Sequence, residues 1–181
     1  MMLDKITIRL AVTTEVPALE ELIAASVRLL SADYYSPAQI ESALIHVFGV
    51  DTQLIADGTY FVAELGGQIV GCGGWSKRQT LFGGDQAKAG EDNLLNPTTD
   101  PARLRAFFVH PGFARRGIGK RIIEACEQAA AAADFHQLEL AATLPGEPLY
   151  LAVGYEVLER FELPFPTGVF LPLVRMGKFL T

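Results

Sequence analysis

Hydrophobic positions along this chain recur with two different periods. Some short stretches are continuously apolar or alternate with polar residues, as in "ITIRLAV", which is typical of β-strands. Longer stretches repeat apolar residues every three or four positions, as in "ALEELIAASVRLL", which is typical of amphipathic helices. The patterns indicate an α/β (α+β) protein. They predict strands over residues 6–12, 59–65, 68–75, 104–109, 137–143, 157–163 and 168–176, and helices over residues 14–30, 36–49, 118–133 and 146–154.

Local signals mark the ends of several elements. Ser36 and Gln39 have the spacing of a capping box at the start of the second helix. Gly66-Gly67 predicts a tight hairpin turn between two strands. Residues 76–101, in contrast, are rich in Gly, Asn, Asp, Thr and Pro and predict a long loop, which in a folded domain is usually functional or mobile.

Composition and charge narrow the class of protein. The 181 residues are 50% hydrophobic and contain no linker, repeat or second core, which predicts a single domain over residues 1–181. A net charge of −6 argues against a nucleic-acid partner. No apolar run reaches membrane-spanning length, and the N-terminus lacks the features of a signal peptide. Because Cys72 and Cys126 form no CxxC pair, we expect a cytoplasmic protein with reduced thiols.

The stretch "VHPGFARRGIGKRIIEAC" joins a predicted strand to a predicted helix through a glycine-rich turn. Unpaired N–H groups and the dipole at a helix start attract anions, so phosphate is the first expected ligand. A P-loop would need Lys where Ile118 stands, and a dinucleotide motif would need Gly where Ile122 stands. The three histidines lack metal-ligand spacing, so no metal site is predicted.

This strand, loop and helix resemble the acetyl-CoA loop of the GNAT superfamily of N-acyltransferases. Val109, Pro111, Gly117 and Gly119 match the family pattern, whereas Ala114 stands where the family usually has Gln or Arg. The resemblance implies that backbone N–H groups hold a diphosphate here, and that a Cβ at either glycine would obstruct its approach.

A later helix, "PLYLAVGYE", carries a second match, because Tyr150 precedes the pair Gly154-Tyr155 by four residues. The resemblance implies a central, mixed, mostly antiparallel sheet with two splayed parallel strands and helices on both faces. It also implies acetyl-CoA as acyl donor. The implied cofactor-binding residues are Phe107, Phe108, Val109, Arg115, Arg116, Gly117, Ile118, Gly119 and Lys120.

The implied chemistry needs a polarised thioester carbonyl, a deprotonated amine and a proton for the departing thiolate. The resemblance implies that the backbone N–H of Phe107 donates a hydrogen bond to the thioester carbonyl and that the hydroxyl of Tyr150 supplies the proton to the thiolate. Arg103 stands where some members carry a catalytic glutamate, and an arginine cannot act as a base. Glu64 is therefore the candidate base, acting directly or through water. The alternatives are a packed core aromatic for Tyr150 and a surface carboxylate for Glu64.

Acceptor-binding residues are expected on a strand and on a loop. Arg103 and Arg105 share one strand face and either bind an anionic acceptor or form surface salt bridges. Family members usually contact the acceptor with the loop between the first two helices, here Tyr34 and Tyr35, and with the final hairpin. Trp75 is either a wall of this pocket or a core residue, and the core is favoured.

The sequence thus predicts an N-acetyltransferase that moves an acetyl group from acetyl-CoA to a primary amine of a small molecule or peptide. One alternative is a non-catalytic acyl-CoA-binding regulatory module of the same fold, and another is a nucleotide-dependent phosphotransferase. Members of the family often dimerise, so the resemblance also implies that a homodimer can form through the final strands.

Overall fold

A seven-stranded sheet forms the centre of the computed structural model, which describes residues 5–181. Residues 1–4, which belong to the N-terminal segment assessed above for a signal peptide, lie outside the described residues. The strand order is β1-β2-β3-β4-β5-β7-β6, and only β4 and β5 are parallel neighbours. The sheet is therefore mixed and mostly antiparallel, which confirms the predicted fold. The strands are β1 (Thr7–Leu10), β2 (Tyr60–Leu65), β3 (Gln68–Ser76), β4 (Ala102–Val109), β5 (Gln137–Thr143), β6 (Glu156–Pro164) and β7 (Phe170–Phe179).

The α-helices cover both faces of this sheet, as predicted. They are α1 (Val16–Leu30), α2 (Pro37–His46), α3 (Thr52–Ala56), α4 (Ile118–Ala132) and α5 (Glu147–Ala152). Helices α1, α2 and α3 pack on one face, and α4 and α5 pack on the other. Helix α3 was not predicted because five residues are too few to show a helical period. Within residues 5–181, none of the helices is both long and apolar enough to span a bilayer.

The predicted local signals form the expected structures. The Ser36 hydroxyl accepts a hydrogen bond from the Gln39 N–H at 3.1 Å, and the Gln39 side-chain oxygen accepts one from the Ser36 N–H at 2.8 Å. This reciprocal pair is the predicted capping box. Gly66 and Gly67 have φ values of +56° and +81°, which glycine adopts without strain, and they connect β2 to β3.

Two hydrophobic clusters lie on opposite sides of the sheet. The cluster beneath α1, α2 and α3 contains Cys72, and the cluster beneath α4 and α5 contains Cys126 and Trp75. Both cysteines are free and fully buried, and the sheet between them prevents a disulfide. Trp75 packs edge to face against Phe135 with ring centroids 6.0 Å apart, which confirms that it is a core residue.

Strands β4 and β5 separate soon after they begin. Their register consists of the pairs Ala102↔Leu138 and Arg103↔Glu139, and both strands continue beyond these pairs without further pairing to each other. On its other side β4 stays paired with β3, while β5 stays paired with β7. A gap therefore opens in the middle of the sheet, which confirms the predicted splay.

The long loop between β3 and β4 is held in place by buried charges. Arg105 on β4 donates hydrogen bonds to Asp51, next to α3, at 3.1 Å and to Asp92 of the loop at 3.0 Å. Lys88 of the same loop also pairs with Asp51. The side chains of Arg105 and Asp51 are fully buried. One buried guanidinium shared by two carboxylates thus helps to hold the loop, together with the salt bridge between Arg78 and Asp57.

We expect Asp51→Asn to lower the free energy of unfolding by about 3 kcal/mol, because it leaves Arg105 with Asp92 as its only carboxylate in a buried site. Urea denaturation measures this loss. Glu41→Gln is the matched control, because the same chemical change affects an exposed pair with Arg28 and is expected to cost less than about 1 kcal/mol. Equal effects of the two substitutions would contradict the anchoring role of the buried cluster.

Candidate active site

A cavity of about 520 Å³ occupies the gap between β4 and β5. At one end it is lined by the loop before α4 and by the first residues of that helix. At the other end it reaches the C-terminal half of α1, residues 47–49 after α2 and residues 82–84 of the long loop. Helix α5 contributes Tyr150 and Leu149 to the wall. One continuous space therefore connects a helix N-terminus to a second compartment on the opposite side of the splay.

The end of the cavity at α4 is built to hold an anion. Arg115 and Gly117 have φ values of +61° and +77°, which turn the chain tightly before the helix. The first backbone hydrogen bond runs from the Arg121 N–H to the Gly117 carbonyl at 3.1 Å, and no side chain caps the helix. The N–H groups of the first helical turn thus have no partner within residues 5–181 and line the cavity.

A β-bulge in β4 lies in the middle of the cavity wall. The register with β3 shifts between Cys72 and Gly74, so that Ala106 and Phe107 have no partner in the ladder. Ala106 has a φ of +56°, and its carbonyl accepts a hydrogen bond from the Tyr60 hydroxyl at 3.0 Å. This bulge frees the backbone of Phe107 from the ladder with β3, and Phe107 lines the cavity.

Tyr150 stands next to this bulge, where aromatic rings fix its position. Its ring packs edge to face against Phe107, at 6.3 Å between centroids, and against Tyr155 at 5.8 Å. The Tyr155 hydroxyl donates a hydrogen bond to Glu127 at 3.0 Å, so this second ring is itself anchored. Burial raises the pKa of Tyr150, and the phenol stays protonated at neutral pH.

Comparison with known sequences decides the family. A sequence model of the acetyltransferase (GNAT) domain matches residues 56–157, more than half of the chain. The chain belongs to the GNAT acetyltransferase family. No curated protein matches it significantly.

Solved structures of GNAT enzymes share the fold. A GCN5-related N-acetyltransferase from Rhodopseudomonas palustris matches with a TM-score of 0.69 and 22% identity, over 99% of each chain. The PaiA N-acetyltransferase from Thermoplasma acidophilum, solved with coenzyme A, has a TM-score of 0.65 and 14% identity, over 97% of this chain and 99% of its own. A ribosomal-protein-alanine N-acetyltransferase from Brucella melitensis has a TM-score of 0.63 and 19% identity, over 96% and 99%.

The structure brings most of the expected GNAT cofactor residues to the cavity wall. Arg116 is the exception, because its guanidinium lies 5.2 Å from the centroid of the Phe113 ring and does not line the cavity. The Ile118 side chain is buried in the core, so only its backbone can face a ligand. The residues that do line the cavity are Phe107, Phe108, Val109, Arg115, Gly117, Ile118, Gly119 and Lys120.

The two GNAT-loop glycines have different reasons to be glycine. A Cβ at Gly117 would meet no protein atom within 4 Å, so it would project into open space at the anion site. A Cβ at Gly119 would lie 2.7 Å from Leu149 Cδ2. Gly119 therefore also leaves room for the Leu149 side chain of α5, and its role in keeping space for a diphosphate stays a prediction.

Glu64, the candidate base, does not reach the cavity. Its carboxylate accepts hydrogen bonds from Arg9 at 2.7 and 2.9 Å, and Arg9 also binds Glu15. It does not line the cavity. A carboxylate that lies outside the cavity and is held by a guanidinium cannot contact an amine bound inside it. The structure thus favours the alternative of a strand carboxylate in a salt bridge.

The predicted arginine pair is also used differently. Arg103 reaches Glu139 at 3.5 Å and the carbonyls of Gln79 and Pro101 at 3.3 Å, and it does not line the cavity. Burial lowers its pKa. Arg105 does line the cavity, but its guanidinium binds the two carboxylates of the loop anchor. These arginines position β5 and the long loop, and the structure does not bring them together at an acceptor.

The two tyrosines of the loop after α1 have separate environments. Tyr34 is half exposed and lines the cavity, as expected for a residue near an acceptor. Tyr35 is buried and does not line it. Its hydroxyl donates to the Pro172 carbonyl at 2.6 Å and accepts from the Leu144 N–H at 2.9 Å. Tyr35 therefore links this loop to β7 and to the end of β5, and the prediction that it binds substrate is not supported.

Several functional residues have no signal in the sequence. In the sequence Tyr60 has the pattern of an ordinary strand residue. Its hydrogen bond to the Ala106 carbonyl depends on the bulge, which the sequence does not show. Phe48 and Phe82 lie at a helix end and in a long loop, where apolar periodicity is lost, yet both line the cavity. The glycines and prolines of residues 76–101 indicated only that this segment is a loop.

We expect Gly117→Val to weaken coenzyme A binding at least about tenfold, because the side chain projects over N–H groups that would each contribute about 1.5 kcal/mol or more to a bound phosphate. Isothermal titration calorimetry measures the affinity. Gly58→Val is the matched control, since Gly58 also has a positive φ (+70°) and open space at its Cβ, but lies away from the cavity. Unchanged affinity in folded Gly117→Val would contradict the assignment of the anion site.

Proposed function

We propose that this protein is an N-acetyltransferase that transfers the acetyl group of acetyl-CoA to a primary amine of a small molecule or peptide. One observation carries the proposal: a single cavity joins an unpaired helix N-terminus to a second compartment, and the freed backbone of Phe107 and the Tyr150 ring lie between them. Membership of the GNAT family and a similar structure solved with coenzyme A support acetyl-CoA as the donor.

The residues present fit the donor. The N–H groups at residues 117–120 and the cations Arg115 and Lys120 match a diphosphate, and the unpaired edges of β4 and β5 match the amide groups of a pantetheine arm. Bound there, acetyl-CoA supplies an activated acetyl thioester. The Phe107 N–H has no ladder partner, and in this proposal it would donate a hydrogen bond to the thioester carbonyl.

Tyr150 is the proposed general acid. Because burial keeps its phenol protonated, a hydroxyl hydrogen is present at every physiological pH. Its ring lies against Phe107, so the acid and the N–H donor are carried by adjoining groups on opposite sides of the splay. In this arrangement Tyr150 donates its proton to the departing sulfur.

A screen for release of free CoA thiol tests the function, with acetyl-CoA and a panel of amino acids, polyamines, aromatic amines and peptides. Turnover of any amine supports the transferase. Binding of CoA without turnover on any acceptor would instead favour the regulatory module. A larger rise in melting temperature with ATP than with CoA would favour the phosphotransferase.

We also propose that the protein is a single domain, that it is located in the cytoplasm and that it forms a homodimer. One sheet that runs from Thr7 to Phe179 supports a single domain, and two buried free thiols support a reducing compartment such as the cytoplasm. β6 is an edge strand with mostly exposed side chains, which supports the prediction of a homodimer through the final strands.

We expect Tyr150→Phe to lower kcat by about a hundredfold, the lower end of the range for a positioned general acid, because a thiol is acidic enough to leave partly unaided. KM values and CoA affinity are expected to change little, since the ring and its packing remain. Steady-state kinetics with the best amine of the screen gives both numbers. A folded variant with the parent kcat would rule out the acid role.

We expect Tyr60→Phe to lower kcat by about tenfold while both KM values stay near those of the parent protein. The lost hydrogen bond, with a net value of about 1 kcal/mol, holds the Ala106 carbonyl and thereby the direction of the Phe107 N–H. Tyr35→Phe is the control, because it removes a buried tyrosine hydroxyl bond away from the bulge. An equal fall in kcat for both variants would show a general loss of stability and not a positioning role.

A further inference from the structure

The compartment of the cavity beyond the bulge has predominantly aromatic and aliphatic walls. They come from three parts of the chain: the end of α1 and the loop that follows it, the segment after α2, and the long loop packed against β4. The Phe48 and Phe108 rings meet edge to face with centroids 5.9 Å apart. This acceptor compartment is lined by the side chains of Val27, Leu30, Tyr34, Val47, Phe48, Phe82 and Phe108, and by the hydroxyl side chains of Ser26 and Ser31.

The long loop is fixed where it forms the wall of the acceptor compartment. The Gly84 N–H donates to the Val47 carbonyl at 2.8 Å. A Cβ at Gly84 would lie 2.7 Å from the Gly49 carbonyl oxygen, so the two backbones touch and glycine is required there. Phe82 is held against Phe161 with ring centroids 6.0 Å apart. The compartment is therefore a formed pocket with an aromatic wall.

The charged side chains that line the cavity are all cationic in the described part of the chain. The titratable or charged side chains that line it are Tyr34, Arg105, Arg115, Lys120 and Tyr150, and no carboxylate lines it within the described part of the chain. Arg105 is already paired with Asp51 and Asp92. An ammonium ion that enters this compartment meets no counter-charge and no carboxylate base.

This environment selects the protonation state of the acceptor. An alkylamine with a pKa near ~10.4 is neutral in fewer than about one molecule in a thousand at pH 7. Transfer of its charged form into an apolar pocket without a partner is costly. An aromatic amine, whose nitrogen lone pair is delocalised into the ring, is neutral at the same pH and offers a flat face to the Phe48, Phe82 and Phe108 rings.

We infer that the acceptor is a small aromatic amine that binds as the neutral base; the inference rests on the proposed N-acetyltransferase function. The nitrogen lone pair forms the new bond to the acetyl carbon, and the bond from that carbon to sulfur breaks with its electron pair on sulfur. Tyr150 donates a proton to sulfur, solvent accepts the proton that nitrogen loses, and solvent returns a proton to the Tyr150 oxygen, so that protons balance over one turnover. The net reaction needs no carboxylate base.

Aniline and cyclohexylamine form a matched pair for the test, because both carry one amino group on a six-membered carbon ring. At pH 7 we expect kcat/KM for aniline to exceed that for cyclohexylamine, spermidine and lysine by at least about a hundredfold, since these amines are almost wholly protonated. From about pH 6 to about pH 8, kcat/KM is expected to stay level for aniline and to rise roughly tenfold per unit for cyclohexylamine.

Phe82→Ala tests the aromatic wall. It is expected to raise the KM for aniline about tenfold, because a buried aromatic contact is lost, and to leave the KM for acetyl-CoA unchanged. Leu94→Ala is the matched control on the same loop, since Leu94 is exposed and does not line the cavity. CoA affinity in both variants, measured by calorimetry, shows that each retains the folded donor site.

The outcomes separate this inference from the function on which it rests. Preferred use of spermidine, lysine or cyclohexylamine at pH 7 would overturn the aromatic-amine inference and leave the acetyltransferase intact. An unchanged aniline KM in Phe82→Ala would also overturn it. CoA binding without turnover of any amine would remove both proposals.

Discussion

The separation of β4 from β5 is the constraint on which the rest of this structure depends. Two residue pairs hold β4 and β5 together at one end, and the outer neighbours β3 and β7 pair with β4 and β5 respectively. The facing edges beyond these pairs expose backbone groups that a continuous sheet would satisfy, and such groups are costly to bury without partners. The fold thus creates a site whose polar groups are complementary to an extended, amide-containing ligand before any side chain is considered.

The two ends of the cavity depend on this separation in different ways. At the cofactor end, the tight loop and the start of α4 supply backbone donors, and side chains contribute mainly charge. At the acceptor end, the wall consists of side chains from distant segments and depends on Arg105, which lies one residue before the bulge at Ala106. The strand that presents the freed N–H therefore also anchors the loop that shapes the acceptor compartment, and a change in either is transmitted to the other through β4.

The sequence was informative where a feature depends on neighbouring residues. The capping box at Ser36, the Gly66-Gly67 turn and the strand, loop and helix around Gly117 involve a few adjacent positions and formed as predicted. The sequence could not show which salt bridges Glu64 and the two arginines form, because their partners lie far away in the chain. These partners are Arg9 for Glu64, and Asp51 and Asp92 for Arg105. Charged side chains have many possible partners, and only the fold decides among them. The aromatic wall was unpredictable for the same reason, since Phe82 comes from a loop without periodicity.

The position of the cysteines has a consequence for how the protein withstands oxidants. Cys72 and Cys126 are fully buried on opposite faces of the sheet, and burial raises the pKa of Cys72 to about 12 and that of Cys126 well above its usual value. A thiolate is the nucleophile that attacks peroxides and disulfide reagents, and neither residue forms a thiolate at neutral pH. An enzyme that releases a free thiol at each turnover would therefore resist thiol–disulfide exchange with the oxidised, disulfide form of that product while it remains folded.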